Sequence, residues 1–247
     1  MSFSLHRSLA SSLKLAELIF FPSLCELCSR LLELPGERVI CRSCLQEIKP
    51  HRTSHCLSCG QFFTITGEPQ FCHRCVEQRP AFSVHRSCGL YKGTLKDVII
   101  LYKYRGFSVL GKALAEFAHK SLGKEESLWW ETDAIIPVPL HPEKEKERGF
   151  NQAQLIAKEL AKCKHIKLIE GQLIKVRRTL PQTSLEAKDR ERNLKGAFEV
   201  KDADGIKGKI VLLVDDVFTT GSTLHECCLA LRKAGALEVR ALTIAQA

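Results

Sequence analysis

The sequence predicts an α/β protein in which a parallel sheet flanked by helices follows a small cysteine-rich module. Three observations support this fold class. Cys-x-x-Cys pairs are concentrated in the first third of the chain, strand-like and helix-like segments alternate after residue 81, and an apolar run at residues 211–214 leads into two adjacent aspartates. The cysteine pairs predict a metal-held module. The alternation predicts parallel strands that are connected by helices.

Composition and charge set broad limits on function. The chain has 247 residues, 45% of them hydrophobic, which suffices for one ordinary domain and a smaller module. The formal net charge of +9 suits an anionic ligand or nucleic acid and is specific for neither, because eight zinc-bound thiolates would lower it by about four. The apolar residues 15–21 are too few for a membrane span and lead to no signal-peptide cleavage site. We therefore expect a cytoplasmic protein without membrane insertion, whose thiols stay reduced.

Four cysteine pairs form an internal repeat. The stretches CELCSRLLELPGERVICRSC and CLSCGQFFTITGEPQFCHRC each contain two pairs with twelve residues between them, and each has a glycine eleven positions after its first cysteine. This spacing predicts two zinc ribbons with two structural Zn²⁺ ions. Sequential pairing is favoured, while pairing of the first with the third pair and the second with the fourth stays open. The predicted ligands are Cys25, Cys28, Cys41, Cys44, Cys56, Cys59, Cys72 and Cys75.

The remaining chain supplies the elements of the sheet. We expect an N-terminal helical segment at residues 1–20, the double zinc-ribbon module at 21–80 and the α/β domain at 81–247. Strands are predicted at residues 87–91, 133–139, 172–176, 209–214 and 239–244, and helices at 95–104, 110–122, 150–162 and 224–234. Ligands of open parallel sheets bind beyond the carboxyl ends of the strands. The loops after residues 139 and 214 are therefore expected at one edge.

The stretch VLLVDDVFTTGST carries the most specific chemical signal. Its apolar residues 211–214 predict a buried strand that stops before Asp215 and Asp216. Adjacent carboxylates repel each other, so we expect them to serve a ligand rather than packing. The small residues that follow can turn tightly and present N–H groups at the start of a helix, which predicts a phosphate-binding loop. Its residues are Thr219, Thr220, Gly221, Ser222 and Thr223.

These residues carry a resemblance to a known family. VLLVDDVFTTGST resembles the phosphoribosyl pyrophosphate (PRPP) motif of type I phosphoribosyltransferases. The whole chain resembles the ComF family of competence-associated proteins, through FFPSLCELC, LYKYRG, PVPLHPEKEKERGFNQAQLIA and QTSLEAKDRERNLKGAF in that order. The resemblance implies a phosphoribosyltransferase-like sheet, Mg²⁺ bound with PRPP, and a link to DNA uptake and natural competence. It does not specify the acceptor.

The resemblance also implies roles for individual residues. Asp215 and Asp216 would bind the ribose hydroxyls and favour positive charge at the anomeric carbon, and the loop after them would hold the 5-phosphate. PVPLHPEKEKERGFNQ would hold pyrophosphate, while its charged residues 143–147 are expected to form a solvated loop. The implied catalytic residues are Asp215, Asp216 and Arg190. The implied PRPP-binding residues are Asp215, Asp216, Thr219, Thr220, Gly221, Ser222, Thr223, Arg148 and Asn151.

A third loop, residues 177–198, has too many charges and too little periodicity to lie in a core. In the family it closes over the reacting centre and excludes water. The positions that match the family pattern are Gln182, Thr183, Arg190 and Asn193. In YKYRG, Lys103 and Arg105 are interpreted as contacts for nucleic acid or as cover for a helix surface.

Two functions remain open. In the first, the protein is an enzyme that transfers phosphoribose from PRPP to an unidentified acceptor and releases pyrophosphate. In the second, it is a non-catalytic PRPP sensor or competence factor whose zinc module binds single-stranded DNA or a competence protein. Retention of the acidic pair and all three loops favours the enzyme.

Overall fold

The computed structural model describes residues 23–34, 36–64, 67–68, 70–177 and 194–247. The chain divides into two compact units, one up to Lys49 and one from Pro50 to Ala247. The predicted domain boundaries at residues 20 and 80 remain predictions. The predicted N-terminal segment 1–20 and the loop positions Gln182, Thr183, Arg190 and Asn193 lie outside the described residues.

The first unit contains one cysteine module. A turn at Cys25 to Ser29 is closed by the Ser29 N–H, which donates to the Cys25 carbonyl over 2.8 Å. Helix α1 (Arg42–Glu47) begins directly after Cys41, whose backbone is extended at φ −71° and ψ 158°. The Glu37 carboxylate accepts from the Arg42 N–H, which satisfies one of the free donors at the start of this helix.

The second module repeats the first with an offset of 31 residues. Gly60 N–H donates to the Cys56 carbonyl over 3.0 Å, as Ser29 does to Cys25. Helix α2 (His73–Glu77) begins after Cys72, which has the same φ of −71° and ψ of 158° as Cys41. Matching backbone geometry at matching positions confirms the internal repeat, although the second copy lies in the second unit with the sheet.

The main sheet confirms the predicted fold class. Its five strands are parallel and lie in the order β1-β7-β6-β2-β3. The strands are β1 (His85–Leu90), β2 (Ala134–Pro137), β3 (Lys167–Leu168), β6 (Ile210–Phe218) and β7 (Glu238–Gln246). Strand β6 is central, and its residues 211–214 are fully buried between β2 and β7, as an apolar run without alternation predicts.

Helices flank this sheet and connect its parallel strands. They are α3 (Gly93–Tyr104), α4 (Leu110–Leu122), α5 (Glu126–Trp129), α6 (Pro142–Arg148), α7 (Gln152–Lys164) and α8 (Ser222–Lys233). Helix α7 packs on β2 and β6, and α8 packs on β7. Within the part of the chain that the structure describes, no helix is both long and apolar enough to cross a bilayer.

Three sequence expectations are corrected here. The strand expected to stop at Val214 continues to Phe218, because Asp215, Val217 and Phe218 stay paired with β7. The strand expected at residues 172–176 joins a separate antiparallel pair, β4 (Leu173–Lys175) with β5 (Phe198–Val200). The charged residues 143–147, expected as a loop, form helix α6, because Pro142 occupies its first turn and the His141 side chain accepts from the Glu143 N–H.

The third loop also ends differently from the expectation. Leu194, Ala197 and Phe198 at its carboxyl end are buried in the core of the second unit. Only three residues separate Leu194 from the start of β5, so the chain is already packed before that strand begins. The last five positions of this segment therefore already contain three core residues, while Lys195 among them is exposed.

The second cysteine module is part of the core of the second unit. Cys56, Cys59 and Cys75 are buried in the same apolar cluster as residues of β6 and β7. Arg86 of β1, itself 7% exposed, donates from Nη1 to the Leu57 carbonyl over 3.1 Å. Nη1 also donates to the His85 carbonyl, and the Glu125 carboxylate lies 3.6 Å from Nε, so the buried charge is offset by carbonyl oxygens and by an opposite charge.

One glycine marks how closely this module approaches the sheet. Ser29 and Gly60 occupy matching positions with φ of 58° and 65°. A Cβ at Gly60 would lie 2.3 Å from the His85 carbonyl oxygen, a distance that atoms cannot tolerate. The first module therefore tolerates a side chain where the second requires glycine.

Candidate functional site

Two groups of four cysteines have the geometry of metal sites. Within each group, the four sulfurs lie within 4.8 Å of one another. Cys28 Sγ and Cys41 Sγ are 3.6 Å apart, as are Cys59 Sγ and Cys72 Sγ. Tetrahedral zinc with Zn–S bonds of about 2.3 Å requires sulfurs about 3.8 Å apart. Both groups therefore fit Zn²⁺.

The membership of the groups settles the pairing that the sequence left open. One group consists of Cys25, Cys28, Cys41 and Cys44, and the other of Cys56, Cys59, Cys72 and Cys75. The pairs are thus sequential and not cross-braced. Backbone N–H groups stabilise the sulfurs in the same way in both groups, since Cys41 N–H donates to Cys25 Sγ over 3.4 Å and Cys72 N–H donates to Cys56 Sγ over 3.3 Å.

The acidic pair lies within the central strand rather than beyond it. Adjacent residues of a strand point to opposite faces of the sheet, so Asp215 and Asp216 meet different neighbours. Asp216 is 3% exposed, whereas Asp215 is half-buried. The Asp216 N–H donates to Asp215 Oδ1 over 2.9 Å, which fixes the rotamer of the first carboxylate.

Asp216 forms a buried ion pair with Lys103 of α3. Lys103 Nζ donates to Asp216 Oδ1 over 2.7 Å. The second oxygen, Oδ2, is buried and accepts no hydrogen bond from any described residue. A buried carboxylate oxygen without a donor is costly, and a ligand hydroxyl or a hard cation such as Mg²⁺ would satisfy it. This oxygen can therefore accept a hydrogen bond from a ribose hydroxyl or coordinate a magnesium ion.

Asp215 has a strongly perturbed acidity. Burial and, second, the neighbouring charge of Asp216 raise its pKa, Lys103 and Lys175 act in the opposite direction, and the net result is a pKa of about 7. A carboxyl group with a pKa near neutrality is typical of functional sites. Positive charge that develops on a ligand beside Asp215 would favour its ionised form.

The loop after β6 forms a compact turn at the start of α8. Gly221 has φ 83°, and a Cβ there would lie 2.9 Å from two carbons of the Phe218 ring. Glycine is therefore required twice, for the left-handed backbone and for the close approach. Thr220 Oγ1 and Ser222 Oγ are 2.8 Å apart and form a hydroxyl pair at the helix start. Such a turn with a helix N-terminus suits a phosphate group.

Arg148 and Asn151, both predicted to bind the ligand, differ in their contacts within the protein. The Arg148 guanidinium donates to Gln152 Oε1 and lies 5.7 Å from the centroid of the Tyr104 ring. Asn151 is 6% exposed, caps α7 through the Ala153 N–H, and donates from Nδ2 to the Val138 carbonyl over 3.1 Å. Asn151 thus fixes the connection between β2 and α7, and its role in PRPP binding stays a prediction.

Cations from several elements surround the acidic pair. Lys175 of β4 lies over the Phe198 ring with Nζ 5.5 Å from its centroid, and burial lowers its pKa. Burial also lowers the pKa of Lys144 on α6, and the charges of Arg148 and Lys103 lower it further. Positive groups that repel one another in this way would be stabilised by an anionic ligand.

Two cavities open in the second unit. One of about 410 Å³ lies beyond the ends of β2 and β3, with apolar walls from Ile136, Pro139 and Leu173 and polar groups from Gln154 and Lys175. Its size and mostly apolar lining suit a small organic molecule.

The other cavity, of about 420 Å³, lies beside the loop at Thr220 to Ser222. Arg74 and Arg79 of the second cysteine module contribute to its wall. Two guanidinium groups give this cavity a cationic side.

Sequence reasoning missed the roles of Lys103, Lys175 and Arg74. Lys103, interpreted as a nucleic-acid contact or a surface residue, is instead paired with Asp216. Its position in the helix could have indicated burial, because Lys103 lies one turn after the buried Ile99 and on the same face. Arg74 and Lys175 had no local signal, since their neighbours come from segments distant in sequence.

Comparison with known proteins finds one match to the C-terminal part of the chain and others along nearly its whole length. Residues 109–247 match the family described as the phosphoribosyl transferase domain. Competence protein F of Haemophilus influenzae is 32% identical over 233 residues, which cover 92% of this chain and 99% of that protein. DNA utilization protein YhgH of Escherichia coli O6:H1 is 31% identical over 226 residues, which cover 89% of this chain and 95% of that protein.

Among solved structures, the similarity is limited to part of each chain. The glutamine PRPP amidotransferase from B. subtilis, complexed with ADP and GMP, is 25% identical with a TM-score of 0.33. The matched region covers 54% of this chain and 25% of that chain.

Proposed function

This chain belongs to the phosphoribosyl transferase domain family and, along nearly its whole length, to the ComF family of competence-associated proteins, and we propose that it binds PRPP at the carboxyl edge of its central strand. It then transfers the phosphoribosyl group to an acceptor and releases pyrophosphate. The observation that carries this proposal is the order of residues along the chain. The acidic pair of β6 is followed, within seven residues, by the whole turn at the start of α8 that is proposed to bind phosphate.

Each part of PRPP has a chemically suitable neighbour. Because Asp215 and Asp216 point to opposite faces of the sheet, the ribose is proposed to lie across the carboxyl end of β6, where its hydroxyls donate to both carboxylates. Their charge stabilises the cationic anomeric carbon as pyrophosphate leaves. N–H groups and hydroxyls of the turn from Thr219 to Thr223 hold the 5-phosphate. Arg148 and the lysines near it attract pyrophosphate. Mg²⁺, when bound with PRPP, neutralises phosphate charge and can be held by the free oxygen of Asp216.

The acceptor is proposed to occupy the cavity beyond β2 and β3. This cavity of about 410 Å³ is lined by Lys175 and by Pro137, which pairs with Val214 directly before the acidic pair. Its apolar walls suit a flat ring system, and the side-chain amide of Gln154 supplies a polar group at its edge. The third loop, with Gln182, Thr183, Arg190 and Asn193, is proposed to close over the reacting atoms, with Arg190 acting in catalysis.

Calorimetric titration with PRPP, with and without Mg²⁺, tests the proposal. Replacing both Asp215 and Asp216 by Asn should weaken binding well beyond tenfold, since each charge-assisted hydrogen bond contributes about 1.5 to 3 kcal/mol. The matched control is Asp133→Asn, which changes a carboxylate at the opposite end of β6, where it accepts from the Ile210 N–H. Parent-like affinity in the double variant would refute the proposed site.

A second candidate function is supported by the names of the relatives, which refer to competence and DNA utilization. In it, the protein binds PRPP without turnover and engages single-stranded DNA or a competence protein. Screening for acceptor-dependent pyrophosphate release separates the two functions. DNA binding, if it occurs through cationic groups, should weaken steeply as salt rises from 50 to 200 mM, roughly tenfold or more.

A further inference from the structure

The second cysteine group contacts the phosphate-binding turn directly. Arg74 lies between the cysteines Cys72 and Cys75, at the start of α2. Its Nη1 donates to the Thr220 carbonyl over 3.0 Å, across 146 residues of sequence. A helix that begins at one metal ligand and contains the next cannot rotate without disturbing the cluster. Arg74 therefore reaches the turn from a fixed base.

This hydrogen bond orients the turn for a ligand on its other side. The peptide between Thr220 and Gly221 is planar and trans, since the structure describes no cis peptide, and its carbonyl and N–H point in opposite directions. When Arg74 holds the carbonyl, the Gly221 N–H is aimed away from Arg74. Arg74 does not compete for phosphate in this arrangement. It instead fixes the direction of the Gly221 N–H, which is the donor available to the phosphate.

A second route connects the same cysteine group to the same turn. His85 of β1 donates from Nδ1 to the Cys59 carbonyl over 2.7 Å, which fixes its tautomer because a carbonyl only accepts. The His85 ring stacks on Phe218, with centroids 4.1 Å apart and an angle of 18° between the planes. Phe218 in turn fills the space beside Gly221. Both routes meet at Gly221.

We infer that the second cysteine group, acting through Arg74, is a positioning element for the 5-phosphate loop. The inference rests on the proposed PRPP site and extends it, because it makes the cysteine module part of the substrate-binding apparatus. The ligand class concerned is a sugar phosphomonoester, for which ribose 5-phosphate serves as a probe alongside PRPP.

The chain offers a matched control. Arg79 lines the same cavity as Arg74 and carries the same charge, but its guanidinium lies over the Phe71 ring, 4.5 Å from the centroid. Arg74→Ala and Arg79→Ala therefore remove equal charge from one cavity, and only the first removes a hydrogen bond to the turn. Arg74→Lys keeps the charge and a donor, and should restore part of the effect.

Three measurements on the full-length protein test the inference: zinc content, amide hydrogen exchange of residues 219–223 without ligand, and affinity for PRPP and ribose 5-phosphate. Arg74→Ala should keep parent zinc content, exchange these amides faster, and bind both phosphates about five- to twentyfold more weakly, as expected for one lost hydrogen bond. Arg79→Ala should match the parent in all three. Arg74→Lys should fall between the parent and Arg74→Ala.

The inference fails if Arg74→Ala exchanges these amides as slowly as the parent. It also fails if Arg79→Ala weakens phosphate binding equally, because the effect is then one of charge, or if Arg74→Ala loses zinc, because its role is then structural. If the parent itself binds neither phosphate, the proposed function fails, and amide exchange still decides whether Arg74 orients the turn.

Discussion

Lys103 Nζ lies 2.7 Å from Asp216 Oδ1, and the two side chains are only 16% and 4% exposed. Burial of an ion pair costs desolvation energy, which the attraction between the charges must offset. Burial lowers the pKa of Lys103, whereas the charge of Asp216 and its hydrogen bond raise it, and the net shift is upward. Lys103 therefore stays charged and donates to a buried carboxylate.

Replacing Lys103 should reveal the desolvation cost of Asp216 as a loss of stability. Lys103→Met leaves Asp216 buried without a cation, and we expect a loss of about 3 to 5 kcal/mol in the free energy of unfolding. Urea denaturation followed by tryptophan fluorescence measures it, because both tryptophans, Trp129 and Trp130, lie in the second unit. The double variant Lys103→Met with Asp216→Asn should recover most of the loss. A double variant as unstable as the single one would contradict the ion-pair argument.

The raised pKa of Asp215 predicts a pH-dependent stability. With a folded pKa of about 7 against an ordinary value of 3.8, the folded protein holds a proton that the unfolded chain releases. Stability attributable to this group therefore falls as pH rises from about 4 to 7. Asp215→Asn removes the effect. The full shift corresponds to about 4 kcal/mol, but water screens the half-buried carboxylate, so we expect a gain on the order of 2 kcal/mol at pH 8 and little change at pH 4. Equal gains at both pH values would rule out this titration as the cause.

Gly221 should tolerate no side chain. Gly221→Ala combines an unfavourable φ of 83° with a contact of 2.9 Å to the Phe218 ring. We expect a loss of about 1 to 3 kcal/mol in stability and at least tenfold weaker ribose 5-phosphate binding. Gly208→Ala is the control, because Gly208 has φ 73° and open space where the Cβ would be. If both variants bind the phosphate equally, the close approach to Phe218 does not shape the loop.

Metal analysis should find two zinc ions per chain. Cys25→Ser and Cys56→Ser should each lose one, whereas Cys163→Ser, at an exposed cysteine outside both groups, should keep both. Since Cys56 is buried in the core of the second unit, its variant should also lower the unfolding midpoint that Trp129 and Trp130 report. Titration of twelve free thiols in the native parent would exclude both zinc sites.

The sequence predicted β1, β2, β6 and β7, which are mostly buried, and missed β3, whose two residues are exposed or half-buried. Residues 211–214 are an unbroken apolar run, and only a strand in a covered parallel sheet requires that pattern. The end of the strand was harder to predict, since carboxylates usually mark a loop. Asp215 and Asp216 remain in the strand because β7 extends alongside them and pairs with residues up to Phe218.

The candidate site was only partly predictable, for a different reason. The acidic pair and the phosphate-binding turn are contiguous, so their signal is local. The partners that hold them come from elsewhere: Lys103 from α3, Lys175 from β4 and Arg74 from the second cysteine module. Lys103 and Arg74 are 113 and 146 positions from their partners, and contacts between segments so distant leave no periodic trace in one sequence.

The pairing of β1 with β7 has a consequence for the order of events during synthesis. Ser87 and Thr243, hydrogen-bonded across these strands, are 156 positions apart. Phe62, in the second cysteine module, donates its N–H to Gln246 of β7. On the ribosome, this module can therefore capture its metal long before the strand that it docks against has emerged. Metal capture can come first, and the contacts with β7 follow after a delay of roughly 10 to 30 seconds, because about 170 residues remain to be made at about 5 to 20 residues per second.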